Sequence, residues 1–180
     1  MTTHRLPFVV LVHGPPASGK TTIANQLARE LGWPVFGKDD IKEALFDSLG
    51  AADPDESRRI GKAVYPLLFL IARRELEAGR SLVLEANFVA GHSESEFVRL
   101  PAHQLVQAYC LAPEDILLER YVARSHERHP GHFDSRRVND VRTAIRTGRH
   151  APLALDGKLI ELHTTGNVDI SRVVSAVRND

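Results

Sequence analysis

The run Gly14-Pro15-Pro16-Ala17-Ser18-Gly19-Lys20-Thr21-Thr22 follows directly on the apolar stretch Phe8 to Val12. No other part of the chain constrains the fold as tightly, because Ile23, Leu27, Ala28 and Leu31 come next at helical spacing, giving strand, loop and helix in one unit. Glycine at each end lets the backbone curl so that successive N–H groups point at one place. The helix that begins at the loop adds its unpaired N–H groups and positive dipole end, so the unit is built to hold an anion. A purely structural turn between strand and helix would need neither Lys20 nor Thr21. In a Walker A phosphate-binding loop both have work, the lysine at the β- and γ-phosphates of a nucleoside triphosphate and the hydroxyl at Mg²⁺. Gly14, Ala17, Ser18, Gly19, Lys20, Thr21 and Thr22 are therefore the expected nucleotide contacts.

Apolar, β-branched runs alternate with helix-period stretches from end to end, which predicts an α/β protein with a parallel, doubly wound sheet. Strands are expected at 8–12, 35–36, 82–85, 104–111 and 159–163. Helices are expected at 20–31, 41–49, 57–78, 93–98, 113–125, 135–147 and 170–177. The 180 residues fit a single domain over 1–180. Lys+Arg and Asp+Glu both number 23, so no global basic field favours long nucleic acids or anionic membranes. Cys110 is the only cysteine, which leaves no disulfide within the chain, and it reads as a small core residue. The start, Met1 to Arg5, runs into a strand without a signal-peptide pattern, and no apolar run reaches the roughly 18 residues of a membrane span. A cytoplasmic monomer or homodimer is the expectation.

Ligands of such sheets lie at the carboxyl ends of the strands, so residues just after each strand carry the chemistry. After the second strand come Lys38, Asp39, Asp40 and Lys42. A hydroxyl acceptor needs a carboxylate for its proton, which assigns Asp39 as base, while Asp40 suits the cap of a helix opening at Ile41. Glu85 closes the third strand in the manner of a Walker B acid, facing Mg²⁺ beside Thr21 or contacting substrate, and Asn87 follows as a substrate contact. The stretch from Ile41 to Leu70, with Asp53, Asp55, Arg58, Arg59 and Tyr65, is expected to wall the acceptor pocket. Between Arg120 and Arg149 stand eight arginines against three acids. Arg120, Arg124 and Arg128, four apart, share one helix face. Arg124 and Arg128 are read as cations that close over transferring phosphate and Arg120 as a stacking partner for the adenine. His126, His129 and His132 surround Pro130-Gly131 without a spacing suited to zinc, so a hinge is the plainer reading.

Taken together these residues resemble the small P-loop kinases, a superfamily that includes gluconate, shikimate and adenylate kinases and chloramphenicol phosphotransferase, and within it the kinase domain of phage-type polynucleotide 5′-kinase. The resemblance implies a three-layer P-loop NTPase sandwich with strand order 2-3-1-4-5 and a helical lid at about 120–137. It matches Lys20 and Thr21 to the Walker A pair, Asp39 to the general base, Glu85 and Asn87 to the acid and amide after the third strand, and Arg124 and Arg128 to the lid arginines. Lys42 stands where the family has an arginine on the acceptor phosphate, and a lysine gives no bidentate contact, which speaks against a phosphate-bearing acceptor. Thr165 and Gly166 fall in the loop that these families place beside the adenine. The implied activity is transfer of the γ-phosphate of ATP or GTP, with Mg²⁺, to a hydroxyl of a nucleoside, sugar or antibiotic. A nucleic-acid 5′-hydroxyl is the alternative acceptor, disfavoured by the few aromatic residues. A nucleotide-dependent switch is the alternative of another class.

Overall fold

The computed structural model describes residues 5–50, 52–125 and 127–179. Residues 1–4 and His126, on which the leader and metal expectations drew, lie outside the described residues.

Five parallel strands form one sheet, β1 (Phe8–His13), β2 (Val35–Gly37), β3 (Leu82–Glu85), β4 (Gln104–Leu111) and β5 (Lys158–His163), in the order β2-β3-β1-β4-β5. Because alternate residues of a strand point to opposite faces, central β1 supplies both halves of the core. Val10 and Val12 pack with Ile23 and Leu27 of α1 (Lys20–Leu31) and Val173 and Val177 of α7 (Ser171–Arg178). Val9 and Leu11 pack on the other face with Leu68, Ala72 and Leu76 of α3 (Pro54–Glu77) and Phe97 of α4 (Glu94–Val98). The remaining helices, α2 (Lys38–Leu49), α5 (Glu114–Arg124) and α6 (Val138–Arg146), surround the carboxyl ends of the strands. Among the described residues no helix is long and apolar enough to cross a membrane.

Three boundaries differ from the periodicity. α2 opens at Lys38, directly on the end of β2, with Gly37 at the cap position and no capping side chain. Asp40 therefore does not cap the helix. It stands in the first turn beside Asp39, where the dipole favours acids without a capping bond. α3 opens at Pro54 because Asp53 accepts from the N–H groups of Asp55 and Glu56, both at 2.8 Å, so Asp53 is a cap and not a pocket wall. α6 is shorter than expected, since Phe133 turns left-handed (φ 52°) between two short 3₁₀ turns, Pro130–His132 and Asp134–Arg136.

Two of the buried histidines are His13, at the end of β1, and His150, in the turn after α6. Burial, with Lys20 adding to it, pushes His13 down to about 3, and neither ring nitrogen has a hydrogen-bond partner. Burial likewise takes His150 to about 4, although its Nδ1 lies 2.9 Å from the Phe88 carbonyl. Both folded values lie below that of the unfolded chain, so the unfolded state takes up protons that the native state refuses as the pH drops. Stability should fall from about pH 6.5 to about 4, by about 1.4 kcal/mol per pH unit for each histidine where the difference is one full proton. Urea unfolding at several pH values checks this, and His13→Leu should remove one proton's worth of slope. An unchanged slope would take His13 out of the account.

Candidate active site

The loop between β1 and α1 takes the conformation its composition allows. Gly14, Ala17 and Gly19 have φ of 141°, 63° and 80°. At Gly14 a side chain would also collide with the Cys110 carbonyl, so the strand-end glycine is required twice over. Ala17, Gly19, Lys20, Thr21 and Thr22 line a cleft above the loop. Gly14 and Ser18 do not. Both are buried beneath it, and Ser18 shapes the turn through its N–H to the Pro15 carbonyl at 3.3 Å.

Lys20 is buried, and its Nζ donates to the Pro15 carbonyl at 2.8 Å. Burial lowers its pKa against the pull of Glu85. Glu85, paired in register with Val12 at the end of β3, is buried as well, and Thr21 Oγ1 donates to its Oε2 at 3.3 Å. Burial raises the Glu85 carboxyl, with Lys20 opposing. A hydroxyl and a carboxylate side by side are the hard oxygen donors that Mg²⁺ takes alongside phosphate oxygens, and a buried acid short of positive charge is a place a divalent cation would satisfy. The pair thus fits Mg²⁺. Among the described residues no group of three or more His, Cys, Asp or Glu is disposed to hold a metal ion. His129 and His132 are instead turned to carboxylates of α2.

Asp39 lines the same cleft from the first turn of α2, with a side chain 41% exposed. Burial opposes its charge, but Lys38, Arg128, His132 and Lys20 outweigh that and hold the carboxyl well below the usual range. Asp40 is exposed and outside the cleft, which separates the two aspartates as the spacing did not. Arg128 bridges two acids, Nη2 to Asp39 Oδ2 at 2.7 Å and Nη1 to Asp134 Oδ2 at 2.9 Å, and the Tyr121 hydroxyl donates to Asp134 Oδ1 at 3.0 Å. Arg124 lines the cleft over the Tyr121 ring at 5.4 Å, and its Nε is buried without a partner. Burial, then Arg128, lowers its pKa.

The segment between α5 and α6 is fastened to α2 along one helix face. Asp39, Glu43 and Asp47, four apart, meet Arg128, His132 (Nε2 to Glu43 Oε1, 2.7 Å) and His129 (Nε2 to Asp47 Oδ1, 3.2 Å). Burial and Arg128 lower the His132 pKa, and the ring stands between Glu43 and Arg128, whose Nη2 lies 2.9 Å from Nε2 and 3.3 Å from Nδ1. Phe46 sits between the two imidazoles, stacked on His129 at 5.3 Å and edge-on to His132 at 5.4 Å. Gly131 lies so close that an added Cβ would stand 2.6 Å from the Phe46 ring. Gly131→Ala should therefore lift the segment, costing about 1–3 kcal/mol in stability. Faster tryptic cleavage between residues 124 and 137 would report the opening, and unchanged cleavage would show that Phe46 does not hold it.

A second cleft opens beside the first and shares Lys38, Lys42, Asn87 and Arg137 with it. Lys42 is buried, donating to Ser57 Oγ at 3.0 Å with its Nζ 4.8 Å from the Phe46 ring centre, and burial takes it down to about 8. The Tyr65 hydroxyl donates to the Asn87 carbonyl at 3.1 Å, so both expected substrate residues stand in this cleft's wall. Arg59 does not. It is exposed on α3 outside both clefts, while Arg58, one residue and 100° away, lines the second and pairs with Asp55. Thr165 and Gly166 are also exposed outside both. Arg120 lines neither cleft either, its Nη2 donating to the carbonyl of the neighbouring Thr164 at 2.7 Å near Gly19. From the sequence, Lys38 stands at the end of the second strand without a role of its own, and Arg137 is only one of the arginines of the basic quarter.

The family model described as an AAA domain matches residues 9–147. The chain is similar to a candidate kinase from Chloroflexus aurantiacus J-10-fl, at 34% identity and a TM-score of 0.88 over 97% of this chain and 98% of that one. A sugar kinase from a Janibacter species has the same fold, with a TM-score of 0.61 at 18% identity over 95% and 94% of the two chains. An uncharacterised Mycobacterium tuberculosis protein is 30% identical over 132 residues, which is 68% of this chain and 26% of that protein. The match thus takes in about a quarter of the length of the curated relatives.

Proposed function

Because this chain belongs to the AAA domain family and has the P-loop kinase fold, we propose that it moves the γ-phosphoryl group of ATP or GTP to a hydroxyl of a small molecule. One observation carries the reading: Lys20, Thr21, Glu85, Asp39, Arg124 and Arg128 line a single cleft. A nucleotide-holding site alone would use the loop and the acid. A strand-end carboxylate and two arginines facing the same space are what transfer adds.

The donor phosphates lie on the N–H groups of the loop, and Lys20 turns from the Pro15 carbonyl to the β- and γ-phosphates. Thr21 and Glu85 would hold Mg²⁺, which when bound supplies positive charge to the phosphate oxygens. Asp39 accepts the proton of the acceptor hydroxyl as the new O–P bond forms and the bond from the γ-phosphorus to the β-phosphate bridging oxygen breaks, releasing the nucleoside diphosphate. Arg124 and Arg128 steady the charge on the transferring group from the segment between α5 and α6, which acts as a lid and keeps water out. Arg128 then exchanges Asp39 for phosphate, and the base is released when the donor is in place. Arg120 and the loop at Thr164 border the base of the nucleotide.

The test is transfer of labelled γ-phosphate to a panel of nucleosides, sugars, aminoglycosides and oligonucleotides. Label should appear on a small-molecule hydroxyl and vanish with Asp39→Ala. Label on oligonucleotide 5′ ends would shift the acceptor to nucleic acid, and slow hydrolysis that no acceptor accelerates would favour a nucleotide-driven switch.

A further inference from the structure

The second cleft encloses about 480 Å³, the size of small-molecule sites. Its charge is one-sided. Lys38, Lys42, Arg58, Lys62, Arg137 and Arg149 line it against Asp140 alone, in a chain whose charges cancel as a whole. Arg58 is taken up by Asp55, and Lys38 lies 3.5 Å from Asp39. Lys62, Arg137 and Arg149 have no carboxylate within ion-pair distance among the described residues, and the Nε of Arg137 is buried with no hydrogen-bond partner. Cations gathered along one wall repel one another, exposed as Lys62 and Arg149 are, and a buried donor without an acceptor such as the Arg137 Nε is costly. Arg137 also stands where the two clefts join, on the Asp39 side of the wall.

We propose that the acceptor is a small hydroxyl compound carrying a carboxylate or phosphate group, the anion seated among Lys62, Arg137 and Arg149 with the hydroxyl toward Asp39. The orientation of the hydroxyl rests on the phosphotransferase reading, whereas the anion seat stands on the cleft itself. Lys42, in place of a bidentate arginine, does not exclude such an acceptor, because the cations come from α3, the residue that opens α6 and the turn after that helix instead. Guanidinium groups at Arg137 and Arg149 supply the paired donors that suit either anion. A polynucleotide would ask for stacking rings along the groove, and Tyr65 and His150 are the rings in the lining.

The experiment fills the phosphate loop with a non-hydrolysable ATP analogue and Mg²⁺, then titrates matched compounds by calorimetry: glucose, gluconate and glucose 6-phosphate, and ribose, ribonate and ribose 5-phosphate. At least one anionic member of a set should bind with an affinity tenfold or more above its neutral parent. Lys62→Ala with Arg149→Ala should cost that compound about tenfold, as expected for charged contacts in a partly enclosed site. Retained analogue binding shows that the double variant is folded. Carboxylate and phosphate arms identify which anion is read. Neutral parents binding as well as their anions, no anion binding at millimolar concentration, or a double variant with unaltered affinity each overturns the proposal. Transfer of label is scored separately in the same samples, so an anion that binds without being phosphorylated removes the phosphotransferase reading and leaves the anion seat in place.

Discussion

Lys20→Ala should reduce phosphoryl transfer by roughly a hundredfold to a thousandfold, the loss seen when one preorganised donor is taken from a developing negative charge. The same substitution should leave the melting temperature unchanged or raise it. Lys20 is a buried cation whose Nζ donates to a neutral carbonyl, Pro15 at 2.8 Å, and burial disfavours its charged form against the pull of Glu85. Alanine removes that cost along with the charge, and Glu85, whose carboxyl burial already raises, takes up a proton in place of the lost cation. Activity lost with stability kept or gained is the signature of a side chain held in place for function at the expense of the fold. A loss of both together would mean that the bond to Pro15 shapes the loop, and that the lysine is structural.

The second large effect belongs to Asp39. Asp39→Asn keeps the size of the side chain and removes the proton acceptor, so kcat should fall roughly 10²- to 10⁴-fold with little change in the KM for nucleotide. The pH profile carries the finer test. Asp39 has burial against it, yet Lys38, Arg128, His132 and Lys20 hold it well below the usual carboxylate range. In the free enzyme such a group stays ionised throughout the working range, so no acid limb of the wild-type kcat/KM profile down to about pH 5 should belong to it. It is also a weak base in isolation, which suits a carboxylate that orients the hydroxyl and takes its proton late, once bonding to phosphorus has acidified it. An acid limb near pH 6 that disappears in Asp39→Asn would contradict this electrostatic account.

The sheet was legible because its signals are local. Five apolar runs bounded by breakers gave five strands within a residue of where they stand, and the resemblance to the P-loop kinases supplied their order, which the structure bears out. Of the residues proposed for the site, those that a strand end places, Lys20, Thr21, Asp39 and Glu85, could be read as neighbours, and they line one cleft. Placement by helix phase or chain path could not be read. Arg59 and Arg58 are equivalent on paper, but one residue turns a helix by 100°, and α3 brings the second into the cleft. Thr165 and Gly166 stand outside both clefts because the chain after β5 turns Thr164 inward to Leu111 and leaves the next two residues in solvent. Arg137 drew no notice among eight arginines, since its place in the cleft wall follows from the chain path through Phe133, left-handed in a way that Phe seldom is.

The pairing of Asp39, Glu43 and Asp47 with Arg128, His132 and His129, and the wedging of Phe46 between two imidazoles, make α2 and the segment across from it a matched set. The two are some 80 to 90 residues apart in sequence, with β3, β4 and several helices between them. A chimera that imported the arginine-bearing segment from a relative would inherit a surface shaped for a different α2. Recombination points chosen by sequence proximity would cut this set in half, so exchange of acceptor preference between relatives calls for grafting both pieces at once.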